Sequence, residues 1–184
     1  KNDRSQNARY RLSGGKFTDD KLFVLELRDR NICVKLDLLM DIEAEIEKVV
    51  SPEGKSHQHK RRFTEGLLDS ERILKALNIK AGQTILDAGC GNGYMSKLFS
   101  KEVGQFGKVY ALDSNAHFIE TLKQEVKGTN IETINGDITK PTKFDPSSID
   151  FIYLSTVFHV FSQHQRQGFL HEAKRLLKLN AYLA

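Results

Sequence analysis

The stretch Thr84-Ile85-Leu86-Asp87-Ala88-Gly89-Cys90-Gly91-Asn92-Gly93-Tyr94 decides how the rest of the chain is read. Ile85 and Leu86 end a short apolar run with the character of a buried strand, and a helical pattern opens at Tyr94 and runs through Phe99. Between them, three glycines let the backbone turn sharply with no Cβ in the way of a ligand. The helix start behind the turn offers unpaired N–H groups and a partial positive charge. The glycine spacing narrows what such a turn would hold. The dinucleotide-binding pattern is G-x-G-x-x-G, whose third glycine permits close helix–strand packing. Here the glycines fall as G-x-G-x-G, Tyr94 stands where that third glycine would be, and Asp87 precedes the first. Both departures argue against a pyrophosphate ligand and against NAD.

Three further segments end in the same way. Lys108-Val109-Tyr110-Ala111-Leu112-Asp113-Ser114-Asn115 is a strand-like run closing on an acid, about 20 residues past the glycines. A carboxylate at such a strand tip can accept two hydrogen bonds from a ribose diol. Ile131-Glu132-Thr133-Ile134-Asn135-Gly136-Asp137-Ile138 is another short strand, closing on Gly-Asp. Ile149-Asp150-Phe151-Ile152-Tyr153-Leu154-Ser155-Thr156 has the apolar content of a strand buried on both faces, and it opens into Val157-Phe158-His159-Val160-Phe161. Each motif lies at the C-terminal end of a predicted strand, where open α/β sheets bind their ligands. A single acid at a strand end is common turn chemistry. The ordered set carries the reading.

These four segments, in this order, resemble those of the class I S-adenosylmethionine (SAM)-dependent methyltransferases, and the resemblance covers about residues 60–184. It implies an α/β, Rossmann-like fold, doubly wound around a mainly parallel sheet, with SAM as cofactor. It places the helix N-terminus behind Gly89, Gly91 and Gly93 against the methionine carboxylate, and Asp87 near the cationic end. Asp113, with Ser114 beside it, is implied at the ribose. Asp137 is implied as acceptor from the adenine amino group, and Ile138 as packing on the ring. Tyr94 and Ser155 are expected as pocket walls, and Tyr153 as a residue buried in its strand.

Length and composition agree with that assignment. A chain of 184 residues suits one α/β domain with an N-terminal extension. It has no apolar run of about 18 residues and no signal-peptide pattern, so a soluble, cytoplasmic protein with no membrane partner is expected. The chain does not begin with Met, and a piece of a longer protein is expected. Cys33 and Cys90 give neither a disulfide framework nor a metal spacing, and Cys90 reads as a small packing residue. The net charge of +4 gives no strong nucleic-acid footprint. Its one concentration is Lys55-Ser56-His57-Gln58-His59-Lys60-Arg61-Arg62, read as a solvated loop ahead of a nucleic-acid contact. By analogy with related small-molecule enzymes, this segment could also fold over the pocket as a cap. His57, His59, Arg61, Arg62 and Phe63 would then line the substrate entrance, and no metal site is assigned to the two histidines.

The turn-rich Ser51-Pro52-Glu53-Gly54 divides the chain into an extension, residues 1–54, and a SAM-binding core, residues 55–184. Residues 1 to about 20 are polar, and a hairpin is predicted over 22–37 with its turn at Arg28-Asp29-Arg30-Asn31. Leu39, Ile42, Ile46 and Val49 then follow helical spacing. In the core, helices are predicted from about Ser70 to Asn78, from Tyr94 to about 102, over His117–Lys127 and over Gln165–Lys178. The last carries an apolar stripe of Phe169, Leu170, Ala173, Leu176 and Leu177, and Asn180–Ala184 starts a fifth strand. A family sheet normally has seven strands, the last two an antiparallel pair. The sheet therefore reads as truncated after its fifth strand, ahead of two other accounts: the N-terminal hairpin fills the vacant edge, or a partner chain covers it. A homodimer through the extension or the open edge is left open.

Methyl transfer asks little of a protein beyond holding the acceptor close and in line. A base is needed only where the acceptor is oxygen, carbon or a protonated nitrogen. His159, just past the fourth strand of the core, is the candidate. That strand lacks an Asn/Asp-Pro-Pro-aromatic motif and a Pro-Cys pair, which weighs against amino-nitrogen methylation of adenine or glutamine and against covalent cytosine chemistry. A small-molecule acceptor is the expectation. The alternatives are a catalytically idle SAM-binding regulatory or scaffold domain, or an enzyme acting on RNA or protein.

Overall fold

The computed structural model describes residues 23–27, 30–34, 70–155 and 157–184. Strands β1 (Phe23–Leu27) and β2 (Arg30–Val34) come first, then helix α1 (Ser70–Leu77) and strand β3 (Thr84–Ala88). Helix α2 (Tyr94–Val103), β4 (Lys108–Asp113), α3 (Ala116–Glu125) and β5 (Ile131–Asn135) follow. The chain closes with β6 (Ile149–Tyr153), a 3-10 turn at Phe158–Val160, α4 (Gln163–Leu176) and β7 (Leu177–Leu183).

The strands form one sheet in the order β1-β2-β7-β6-β3-β4-β5. All neighbouring pairs are parallel except β1 with β2. The order reverses at β3, which pairs with β4 on one side and β6 on the other. That reversal is where an open α/β sheet makes its ligand crevice. Both faces of the central strands are covered, and the residues alternate between them. Ile85 and Phe151 join the core under α1, α2 and α3, with Leu77, Phe99 and Leu122. Leu86 and Ile152 join the opposite core with Phe169, Ala173 and Leu176 of α4. Near-continuous apolar strands are the sequence consequence of this two-sided burial.

Three elements depart from the sequence expectation. The α4 helix ends at Leu176, two residues before the predicted Lys178, because Leu177 turns extended and pairs with Ile149 on β6. Within the predicted apolar stripe Leu170 faces out, 38% exposed, and Glu172 takes the inward place at 2%. Positions 169, 172, 173 and 176 share one helical face, so geometry favours residue 172 over 170. The third departure is at the N-terminus. The predicted hairpin forms, with Leu27 opposite Arg30, and its second strand pairs with β7. Among the three accounts of that edge, the described residues fit the one in which the hairpin fills it. The helix predicted over 39–49, the basic run 55–62 and the cap residues His57, His59, Arg61, Arg62 and Phe63 lie outside the described residues.

Candidate functional site

The glycine turn caps β3 and is tied to β4. Gly89 and Cys90 both donate their N–H to the Leu112 carbonyl, at 2.7 and 3.1 Å, and Gly93 N–H donates to the Cys90 carbonyl at 2.9 Å. Gly89 and Gly93 have φ of 79° and 75°, a region that favours glycine. A Cβ on Gly89 would fall 2.5 Å from Val157 Cγ2, and one on Gly93 2.4 Å from Leu122 Cδ1. The G-x-G-x-G spacing is therefore fixed by backbone shape and by packing together. Asn92 Oδ1 accepts the Tyr94 N–H at the start of α2, and the Tyr94 hydroxyl meets Ser70 Oγ at 3.1 Å.

Asp113 sits half-buried at the tip of β4 and holds this turn in place. Gly91 N–H donates to its Oδ2 at 2.9 Å, and Asn115 N–H donates to its Oδ1 at 2.8 Å. Each oxygen keeps a further lone pair, so the carboxylate can still accept two more hydrogen bonds. Ser114 beside it is exposed, and Asn115 caps α3 by accepting the His117 N–H. Asp87 lies deeper, 3% exposed, and accepts the Ser96 hydroxyl at 2.5 Å. Burial pushes its pKa up to about 7; the Ser96 hydrogen bond works against this and the nearby Asp113 charge adds to it. Cys90 is buried in the adjoining core, and burial, with the charges of Asp87 and Asp113, pushes its thiol up. A neutral, enclosed thiol is a packing group rather than a nucleophile.

Asp137 lies at the tip of the neighbouring β5. Its Oδ1 accepts the Thr139 N–H at 2.9 Å and the Thr139 hydroxyl at 2.6 Å, and Lys140 Nζ is 3.2 Å from Oδ2. Burial alone would raise its pKa, but the bonds from Thr139 and Lys140 outweigh it and the pKa is lowered. Ile138 is 4% exposed and packs into the α4-side core. Ser155, just past β6, is 8% exposed. His159 falls within the 3-10 turn that follows it.

The structure thus brings Asp87, the three glycines, Tyr94 and Asp113 into one hydrogen-bonded and packed unit. Asp137 stands apart on its own turn. Three contributors escape the sequence reading. Ser96 looks like an ordinary helix residue, although it falls on the buried face between Met95 and Phe99. Tyr153 carries a hydroxyl that its apolar surroundings hide. Gly168, an isolated glycine inside α4, lies where a Cβ would come 2.1 Å from the Thr139 carbonyl. An isolated helical glycine was the available signal. In most helices Gly→Ala gains about 1 kcal/mol. Here Gly168→Ala is expected to lower stability by about 1–3 kcal/mol instead, since backbone cannot give way cheaply. Thermal unfolding checks the sign.

A family model described as "Methyltransferase domain" matches residues 85–180, just over half of the chain. The chain belongs to the methyltransferase-domain family. The SAM-dependent methyltransferase of Aquifex aeolicus has a similar solved structure, with a TM-score of 0.59 and 31% identity, covering 76% of this chain and 69% of that one. The demethylmenaquinone methyltransferase of Staphylococcus saprophyticus is 28% identical over 109 residues, 59% of this chain and 46% of its own length. A Thermococcus sibiricus protein described as a probable ribosomal RNA small subunit methyltransferase A is 36% identical over 70 residues, 38% of this chain and 24% of its own. The chain spans about half or less of the length of these curated relatives.

The cofactor of this methyltransferase domain is SAM, and the residues present fit it. Asp113 has acceptor capacity left at the β4 tip, and buried hydroxyls at the end of β6, Tyr153 Oη and Ser155 Oγ, have no partner. No helix among the described residues is long and apolar enough to cross a membrane.

Proposed function

We propose that this chain is the SAM-binding core of a methyltransferase acting on a small-molecule acceptor, with residues 55–184 as the core and 1–54 as an extension. The observation that carries the proposal is the Asp113 carboxylate. It locks the glycine turn through Gly91 while keeping acceptor sites free at the ligand edge of the sheet. Bound SAM would supply an activated methyl group. The chain's own part is to hold, orient and shield. The glycine turn and the α2 N-terminus would hold the amino-acid end, Asp113 and Ser114 the ribose, and Asp137 and Ile138 the adenine. Tyr94 and Ser155 would wall the pocket. His159 would take a proton from an acceptor that must lose one. The small-molecule class is supported by the demethylmenaquinone methyltransferase relative. A second reading, an RNA acceptor, is favoured by the Thermococcus relative.

Titration calorimetry with SAM, S-adenosylhomocysteine and NAD tests the cofactor. Binding of the first two and not of NAD is expected, and NAD binding alone would end the proposal. Turnover on quinone precursors but not on ribosomal RNA is expected in a methyl-transfer panel, and the reverse favours the second reading. His159→Gln is expected to bind SAM normally and lose turnover; full turnover would remove its role as base.

A further inference from the structure

Asn135, the last residue of β5, bonds outside its own strand. Its side-chain Nδ2 donates to the main-chain carbonyl of Asp113 at 3.0 Å, and Gly136 N–H donates to the same oxygen at 3.0 Å. A carbonyl oxygen has two lone pairs, so this one is filled. The Gly136 bond carries the β4–β5 pairing one residue past the end of β5. The Asn135 bond belongs to no ladder. Nor is it ordinary turn chemistry, in which an Asn or Asp side chain bonds the backbone two residues on. Asn92, Asn115 and Asp137 all do that, each within its own turn. Asn135 reaches across to the neighbouring strand instead. It is exposed, so packing does not hold its side chain there.

The bond falls where the sheet is least supported. β5 ends the strand order, and among the described residues β4 is its one neighbour. No helix covers the chain that leaves it. Segments with few contacts open most readily. The tip of β4 is anchored by contrast. The Leu112 carbonyl takes Gly89 and Cys90 N–H, and the Asp113 carboxylate takes Gly91 and Asn115 N–H. Asp113 is thereby bonded on both flanks, by its carboxylate to the glycine turn and by its carbonyl to the tip of β5. Asn135 and Gly136 tie that tip, with Asp137 next in the chain, to the anchored strand.

We propose that Asn135 is a positioning residue for the cofactor: by holding the Asp113 carbonyl it sets the spacing between the acids that grip the sugar and the base. This role rests on the cofactor reading above, with Asp113 at the ribose and Asp137 at the adenine amino group. Asn135 itself need not touch the ligand. A ligand that bridges both acids binds tightly where their spacing is fixed beforehand, since otherwise binding must order the β5 tip. The residue type suits the task. Aspartate has the same shape but no donor, and would set a carboxylate against a carbonyl oxygen.

The test titrates wild type, Asn135→Asp and Asn135→Ala with S-adenosylhomocysteine and with its inosine analogue, which has an oxygen in place of the adenine amino group. Wild type should prefer the adenine ligand by about tenfold or more, the worth of one hydrogen bond to a charged acceptor. In both variants the preference should fall to about threefold, through weaker binding of the adenine ligand and little change with the analogue. Gly136 N–H should exchange with deuterium about three- to tenfold faster in the ligand-free variants, and S-adenosylhomocysteine should slow it again. Melting temperatures should change little, because the bond is exposed. A merely structural Asn135 would lower the melting temperature and weaken both ligands alike, leaving the preference at its wild-type value. That result overturns the proposal, as does unchanged Gly136 exchange. One measurement needs no variant to fold: an unprotected Gly136 N–H in ligand-free wild type also overturns it. Equal binding of the two ligands by wild type would leave Asp137 with no amino group to meet, and Asn135 with nothing to position. If wild type binds neither, the cofactor reading fails and takes this role with it, a result distinct from a wild-type preference that the variants keep.

Discussion

Asp113→Ala is expected to weaken S-adenosylhomocysteine binding by about 100-fold, the largest loss from any one side chain at the site. A hydrogen bond to a charged group is worth about 1.5–3 kcal/mol, so losing two to a ribose diol removes at least about 3 kcal/mol. Each 1.4 kcal/mol is about tenfold in affinity. The same carboxylate holds Gly91 N–H and Asn115 N–H, so the variant also frees two backbone donors. Its unliganded protein should therefore melt lower than wild type. Asp113→Asn separates the two effects. Its amide oxygen can still accept one of those bonds, so stability should return in part while binding stays impaired. Calorimetric titration of both variants decides the matter. A dissociation constant for Asp113→Ala within about twofold of wild type would leave the ribose assignment without support.

The site was legible where chemistry depends on backbone shape. Gly89 and Gly93 are demanded by positive φ and by Val157 and Leu122 packed against them, and such demands are written directly into residue type. The positions of Asp113 and Asp137 at strand ends were legible because the apolar content of β4 and β5 gives those strands away. The Ser96 hydroxyl was not. Its bond to Asp87 depends on how α2 packs over β3, which no spacing encodes. Gly168 shows the same limit, since its need for a bare Cα comes from a carbonyl 29 residues earlier in sequence, at Thr139. The fold was read well along β3, β4 and β5. The end of α4 was not, because Leu176 and Leu177 both suit the helical stripe and only pairing with Ile149 pulls the second into β7. Likewise Leu170 and Glu172 were ranked by hydropathy, whereas the helix face and a waiting arginine settle their places.

That arginine makes Glu172 a polar residue whose loss should cost several kcal/mol of stability, about as much as a large core side chain. No helix covers the chain between β5 and β6, and the segment is instead clamped onto α4. Glu172 Oε1 accepts the Thr142 N–H at 2.8 Å and its hydroxyl at 2.6 Å, and pairs with Arg175 at 2.6 Å. Arg175 in turn donates to the Phe144 and Thr142 carbonyls. Burial would raise the Glu172 pKa, but the Arg175 and Thr142 bonds prevail and hold it down at about 2, against an ordinary 4.5. The group therefore contributes stability that is complete above pH 4.5 and lost as pH falls through about 2. Breaking a buried pair by removing one partner costs about 3–5 kcal/mol. Glu172→Ala should thus lower the melting temperature at pH 7 by roughly 10 °C. The difference from wild type should shrink in acid, as the unfolded parent takes up a proton below pH 4.5 that the folded parent does not take up until about 2. Because the clamped segment begins just after Asp137 and Ile138, the loss should also weaken S-adenosylhomocysteine binding, by a few-fold. Melting curves at pH 7 and pH 3 check the first effect and titration the second. Equal melting at pH 7 would show that the segment between β5 and β6 holds its place by other means, and would separate the Asp137 turn from α4.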